Sequence, residues 1–155
     1  MCGIAGLYDP AGNLRADDLA AEAAAMGTVL RHRGPDAGNL WTDAAAGIAL
    51  AHRRLAVVDL TPAGAQPMTS TTGRYVITYN GEIYNFRELR SDLLACGRSF
   101  VGSSDTEVLL EAIDAWGLEK TLQCVDGMFA FALWDRGDRE LTLARDRFGE
   151  KPLYY

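Results

Sequence analysis

Histidine occurs only twice in these 155 residues and cysteine three times, as Cys2, Cys96 and Cys124. The cysteines are far apart and form no C-x-x-C, so no zinc or dithiol redox motif is present and no metal site is expected. An odd set of isolated cysteines suits a reducing compartment, where thiols persist. No apolar run approaches the ~18 residues of a membrane-crossing helix. No basic segment leads into an apolar one at the start, so no signal peptide is read and a cytoplasmic protein is expected. Lys and Arg number 15 against 21 Asp and Glu, for a net charge of -6, and they are scattered along the chain. The lack of a basic block argues against nucleic acid or an anionic membrane as a partner. Internal repeats, linkers and low-complexity stretches are also missing.

What is present reads as one globular domain over residues 1–155. Hydrophobic residues make up 48% and charged residues 23%, a balance that supports a core. A chain of this length buries roughly two thirds of the surface it exposes when unfolded. The opening C-G-I-A-G-L-Y reads as a strand, ended by the turn D-P-A-G-N. Leu19, Ala23, Met26 and Leu30 recur at spacings of three and four, which predicts a helix from Asp17 to Leu30. R-H-R-G-P-D-A-G is a loop, and Gly47 to Asp59 holds one long strand or two short ones. After turn-rich residues 61–73, R-Y-V-I-T-Y-N is another strand. Asn85 with Glu88 and Ser104 with Glu107 each resemble a capping box opening a helix, and Gly97 and Gly117 mark the stops. M-F-A-F-A-L-W-D, L-T-L-A-R-D and K-P-L-Y-Y read as strands of a meander. The chain ends at Tyr155 inside the last of these, as in a domain cut short. Strands at both ends with helices between predict an α+β fold.

Cys2 is the sharpest chemical signal. A thiolate is a strong nucleophile but needs a base to form at neutral pH. With Met1 removed, Cys2 carries its own α-amine, whose ordinary pKa of about 7.7–8.0 suits that task. The plainer alternative is a small buried residue on the first strand. Other positions are equally open on their own. Arg53 and Arg54 can be a solvated pair, and Asn80-Gly81 is the commonest short hairpin signal. Asp105 suits a helix N-terminus, where its charge meets the dipole. Cys96 and Cys124 read as structural. His32 and His52 receive no proton-transfer role, although a Cys-His pair is conceivable.

Several strings taken together resemble the class II glutamine amidotransferases of the N-terminal nucleophile hydrolases, most closely the glutamine-hydrolysing asparagine synthetases. They are M-C-G-I-A-G at 1–6, R-H-R-G-P-D at 31–36, H-R-R-L-A-V-V-D at 52–59, Q-P-M at 66–68 and N-G-E-I-Y-N at 80–85. S-D-T-E at 104–107, G-M-F-A-F-A at 127–132, R-D-R-F-G at 145–149 and K-P-L-Y at 151–154 complete the family order.

The resemblance implies a four-layer αββα sandwich of two antiparallel sheets. It implies that Cys2 attacks glutamine, with the Asn80 side chain and the Gly81 N–H as oxyanion hole. Arg54 would hold the α-carboxylate, Glu82 and Asp105 the α-ammonium, and Leu55, Ala56, Val57 and Val58 would offer backbone contacts. Arg31 to Asp36 would organise a loop over the site, and Arg145, Asp146 and Gly149 would serve packing between the sheets. The glutaminase half would need no cofactor. ATP and Mg²⁺ would belong to a C-terminal synthetase domain, the expected partner, and a homodimer is compatible with the family. Two other readings stand beside this one: the same glutaminase serving another acceptor in a natural-product or cell-surface amidotransferase, or a non-catalytic interaction module.

Overall fold

A computed structural model describes residues 1–155. Its elements in chain order are β1 (Gly3–Tyr8), α1 (Ala16–Val29), β2 (Ala37–Asp43), β3 (Ile48–Arg54), β4 (Met68–Thr69), β5 (Tyr75–Ile83), α2 (Phe86–Ala95), α3 (Asp105–Trp116), α4 (Leu118–Cys124), β6 (Gly127–Asp135) and β7 (Glu140–Arg145). Short 3₁₀ turns lie at Leu30–His32 and Pro62–Gly64. The strands form two antiparallel sheets, ordered β1-β3-β2 and β4-β5-β6-β7.

The period-two alternation of the strands builds the layers. On β3, Ile48 and Leu50 face Val76, Ala132 and Trp134 of the other sheet, while Ala49 turns outward to Leu19 and Ala23 of α1. On β5 and β6, Ile77, Tyr79, Phe131 and Leu133 turn outward to Leu89, Leu93 and Leu109 of α2 and α3. The order is helix, sheet, sheet, helices: the αββα sandwich that the family resemblance implies.

The helix stops behave as read. Gly97 has φ +82 and follows α2 in a Schellman arrangement, with Arg98 N–H donating to Leu93 O (2.9 Å) and Gly97 N–H to Leu94 O (3.0 Å). Ser104 caps α3 by accepting from Glu107 N–H at 3.1 Å, but the Glu107 carboxylate goes to Val101 and Gly102 N–H instead of closing the box. Asn85 does not cap α2 with its side chain. That side chain bridges Cys124 O (2.9 Å) and Asp126 N–H (3.0 Å), tying the helix start to the strand after α4.

Other departures have physical causes. Met26 is exposed and Gly27 is buried, so α1 packs through Leu19, Ala23 and Gly27; Gly27 lets the helix lie close to Ala51. Strand β2 and helix α4 carry too little alternation to be read from sequence. Asn80-Gly81 is not a turn but the continuation of β5, with Gly81 opposite Phe129. A Cβ on Gly81 would collide with the Met128 carbonyl and lie 2.7 Å from Phe129 Cα, so this glycine answers a close approach and not a positive φ. K-P-L-Y-Y forms no strand. The Asp146 carboxylate accepts from the backbone N–H groups of Phe129, Phe148, Glu150 and Lys151 at 3.0–3.1 Å, curling residues 146–151 into a turn on β6. Asp146 is therefore a buried hub of hydrogen bonds and not packing between the sheets. Burial alone would raise its pKa, but those four amides outweigh it and lower it.

Candidate active site

Cys2 stands just before β1, where the first sheet brings it beside the end of β3. Its Sγ lies 3.4 Å from Leu55 N and 3.6 Å from Leu55 O, and Arg33 Nε donates to its carbonyl at 3.3 Å. The thiol is thus held against one backbone position, half-buried, whereas Cys96 and Cys124 are exposed. It opens on a cavity of about 160 Å³. The walls of that cavity gather every residue singled out from the sequence: Cys2, Arg54, Leu55, Ala56, Val57, Val58, Asn80, Gly81, Glu82 and Asp105. Neither histidine lines it. His52 is buried between the sheets against Tyr79 O (3.1 Å), where burial lowers its pKa to about 4, and His32 turns to Val29 O (3.0 Å). No group of three or more His, Cys, Asp or Glu side chains is arranged to hold a metal ion.

One wall is the segment following β3. Arg54 ends the strand, and its guanidinium donates through Nη1 to Thr61 O (2.9 Å) and through Nη2 to Asp59 O. It takes part in no ion pair, so its charge remains available to a ligand. Ala56 N–H is fixed by Asp36 Oδ2 at 2.9 Å, which is what the R-H-R-G-P-D loop supplies. Val57 and Val58 are exposed at the mouth.

The opposite wall is the end of β5. Asn80 is 6% exposed, and its side-chain amide has no hydrogen-bond partner within the chain. Gly81 is positioned by the ladder. Phe129, its partner, sends its N–H to Asp146 Oδ2 (3.1 Å) and receives Asp146 N–H on its carbonyl (2.8 Å). An antiparallel pair exchanges both bonds or neither, so the Gly81 N–H points away from β6, to the side of β4. On that side Tyr79 N–H is taken by Gln66 Oε1 (2.7 Å) and Ile83 N–H by Asp105 Oδ2 (3.0 Å). No side chain accepts from the Gly81 N–H between them. Two donors, the Asn80 amide and the Gly81 N–H, are left unspent on the cavity that the Cys2 thiol enters.

The two acids differ. Glu82 is exposed and joins no ion pair. Asp105 is buried at the first turn of α3, accepting from Tyr79 OH (2.9 Å), Ile83 N–H (3.0 Å) and Thr106 N–H (3.0 Å). Burial pushes its pKa up, against the pull of those bonds. Burial, and then Asp105, push the Tyr79 phenol well above its ordinary value.

The sequence reading passed over several lining residues. Tyr79 and Gln66 brace the strand, and Asp59 anchors the wall below Arg54. Lys151 is 5% exposed, with Nζ 2.9 Å from Met1 Sδ and 3.0 Å from Met128 Sδ. Period two along β5 puts Tyr79 in step with Gly81, a signal that was available. Lys151 had none, because the Asp146 turn that buries it has no periodicity. Met1 itself forms part of the cavity wall.

Comparison with known proteins points the same way. Over 157 residues the chain is 42% identical to asparagine synthetase [glutamine-hydrolyzing] 3 of Bacillus subtilis (strain 168), covering all of this chain and 25% of that protein. It is 38% identical to asparagine synthetase B [glutamine-hydrolyzing] of Escherichia coli (strain K12), covering 99% of this chain and 26% of the other. It is 36% identical to Amidase chry2 of Gibberella zeae, covering all of this chain and 24% of that protein. Among solved structures it is similar to the glutamine phosphoribosylpyrophosphate amidotransferase from B. subtilis complexed with ADP and GMP. That match has a TM-score of 0.54 and 26% identity, over 64% of this chain and 23% of the other. The chain spans about a quarter of the length of these curated relatives. Its match to the glutamine amidotransferase domain runs over residues 1–155, and the chain belongs to that family.

Proposed function

We propose that this chain hydrolyses glutamine to glutamate and ammonia through a thioester on Cys2, as the ammonia-releasing part of a glutamine-dependent asparagine synthetase. The observation that carries the reading is the pair of unspent donors, the Asn80 amide and the Gly81 N–H, beside the Cys2 thiol. With Met1 removed, the α-amine of Cys2 accepts the thiol proton, directly or through a water, as Sγ attacks the side-chain amide carbon. The C–O π electrons move onto oxygen, and the oxyanion is met by Asn80 and Gly81. Collapse breaks the C–N bond, with the amine returning its proton to the departing ammonia. Water then attacks the γ-glutamyl thioester through a second oxyanion and regenerates the thiol.

Arg54, already braced by two carbonyls, offers its fork to the α-carboxylate. Asp105 and Glu82 meet the α-ammonium, and the backbone from Leu55 to Val58 lines the substrate's flank. Hydrolysis of glutamine in this scheme calls on no cofactor. ATP and Mg²⁺ serve the amidation of aspartate in the remainder of a longer cytoplasmic protein, for which a homodimer is compatible. A second reading, in which the same glutaminase feeds a different acceptor, is kept because one relative at 36% identity is named Amidase chry2 and not an asparagine synthetase. A non-catalytic module is disfavoured, since it has no use for the two unspent donors beside the thiol.

The test is N-terminal processing. Retained Met1 converts the proposed base into an amide and adds a residue to the wall of the cavity that Cys2 enters. Protein shown by intact mass to keep Met1 is expected to release no glutamate, and its processed counterpart to turn over. Robust turnover by homogeneous Met1-bearing protein defeats the amine mechanism. Cys2→Ala in processed protein is expected to abolish glutamate release with the fold retained.

A further inference from the structure

We infer that Asp59 is a positioning residue that sets the two ends of the substrate-binding site at a fixed spacing. The inference rests on the proposed roles of Arg54 toward the α-carboxylate and Asp105 toward the α-ammonium. Asp59 lies in the irregular segment after β3, 4% exposed, and it joins no ion pair. One carboxylate oxygen, Oδ1, accepts from Thr61 N–H and Thr61 Oγ1, both at 2.7 Å. The other, Oδ2, accepts from Ser103 N–H at 2.8 Å and Ser103 Oγ at 3.2 Å.

The two sides of this carboxylate lead to the two ends of the site. Thr61, fixed through its N–H and hydroxyl, presents the carbonyl that holds Arg54 Nη1 at 2.9 Å, and the Asp59 carbonyl itself holds Nη2. Ser103 is two residues before Asp105, and Ser104 between them caps α3. A single buried carboxylate therefore ties the backbone that aims Arg54 to the helix start that carries Asp105. Two glycines make room for it. A Cβ on Gly102 would lie 2.7 Å from Asp59 Oδ2, and one on Gly64 would collide with Arg54 Nη2 and lie 3.3 Å from Asp59 Cβ. The hydrogen bonds from Ser103 and Thr61 hold the Asp59 carboxyl down to about 2, so the clamp stays charged at any working pH.

Asp59 borders the cavity but spends both carboxylate oxygens on Thr61 and Ser103, so its loss should be felt most by a substrate that uses both ends. The experiment compares glutamine with glutaminamide, which lacks the α-carboxylate charge, in the full protein with Met1 removed. Asp59→Asn keeps the shape but turns an NH₂ toward the donors of Thr61 or Ser103. It is expected to raise the KM for glutamine about 10- to 100-fold with kcat within about threefold, and to leave glutaminamide nearly unaffected. Thr61→Val, which deletes one hydroxyl donor, is expected to show the same split at about threefold, and it serves if Asp59→Asn fails to fold. Arg54→Lys is run alongside. If Arg54→Lys discriminates between the two substrates while the Asp59 and Thr61 variants raise KM for both alike or for neither, the clamp is overturned and the carboxylate reading stands. If Arg54→Lys does not discriminate either, the carboxylate reading falls and takes the clamp with it.

Discussion

On the side of the cavity built by the segment after β3, the polar groups are already committed. Arg54 is held by the carbonyls of Asp59 and Thr61, Asp59 by Thr61 and Ser103, and Ala56 N–H by Asp36. On the side built by β5, the Asn80 amide has no partner in the chain, and the Gly81 N–H lies between two neighbours whose own N–H groups are both satisfied. Bracing a group in advance suits ground-state binding, because the side chain loses little freedom when the ligand arrives. Leaving a donor unspent suits a transition state, because its best acceptor exists only while charge develops on oxygen. In the proposed mechanism the two walls thus divide the labour of holding the substrate and stabilising the reaction, and substitutions on each should fail in different kinetic constants.

The largest effect belongs to the unspent wall. Asn80→Ala removes one of the two proposed oxyanion donors and is expected to lower kcat about 10²- to 10³-fold while KM for glutamine changes little. Steady-state glutamate release checks it. An unchanged kcat with a raised KM would place Asn80 on the binding side and erase the distinction between the walls.

Next comes the braced wall. Arg54→Lys keeps the charge but cannot reproduce the fork: with two of its three N–H donors on the Thr61 and Asp59 carbonyls, the ammonium has at most one left and no two-pronged contact for a carboxylate. KM for glutamine is expected to rise about 10- to 100-fold with a smaller change in kcat, the scale of one lost hydrogen bond to a charged group. Substrate saturation curves decide it, and a fall confined to kcat would count against the binding role.

These two walls were not equally visible in the sequence. Both helix stops and the Ser104 cap could be read because glycine at a C′ position and serine at an N-cap satisfy local backbone groups, and local chemistry is what a sequence shows directly. The layer order entered through family resemblance, and the alternation on β3 and β5 accounts for it. Asn80-Gly81 misleads when read locally. Glycine there serves a close approach to Met128 and Phe129, residues more than forty positions away. Asp59, Gln66 and Lys151 were missed for the same reason, since their partners lie at Ser103, Tyr79 and Met128. Polar groups that tie distant segments leave no period to read. The site residues came from motif resemblance, and the fold explains why those motifs meet: β3 ends, β5 ends and α3 begins at one mouth.

The smallest effects test the comparison inside one pair of acids. Asp105 resembles the braced wall, with both carboxylate oxygens accepting from Tyr79, Ile83 and Thr106, whereas Glu82 is exposed and unpaired. If both meet the substrate ammonium, burial decides how much each contributes. Glu82→Gln removes a charge that water screens, so KM for glutamine is expected to rise only about two- to fivefold. Asp105→Asn removes a charge screened less and turns an amide NH₂ toward the Ile83 N–H or the Tyr79 hydroxyl, so a rise of about tenfold or more is expected. The pH dependence follows the same order. Burial raises the Asp105 pKa above its ordinary carboxylate value, and protonation removes the charge that attracts an ammonium. Glutamine affinity should therefore weaken as pH falls, at a higher pH than an ordinary carboxylate would set. Asp105→Asn should abolish that limb of the profile, whereas Glu82→Gln should leave it in place. A profile of KM against pH for the parent and both variants decides the matter: an acid limb that survives in Asp105→Asn and vanishes in Glu82→Gln would assign the ammonium to the exposed acid and reverse the order.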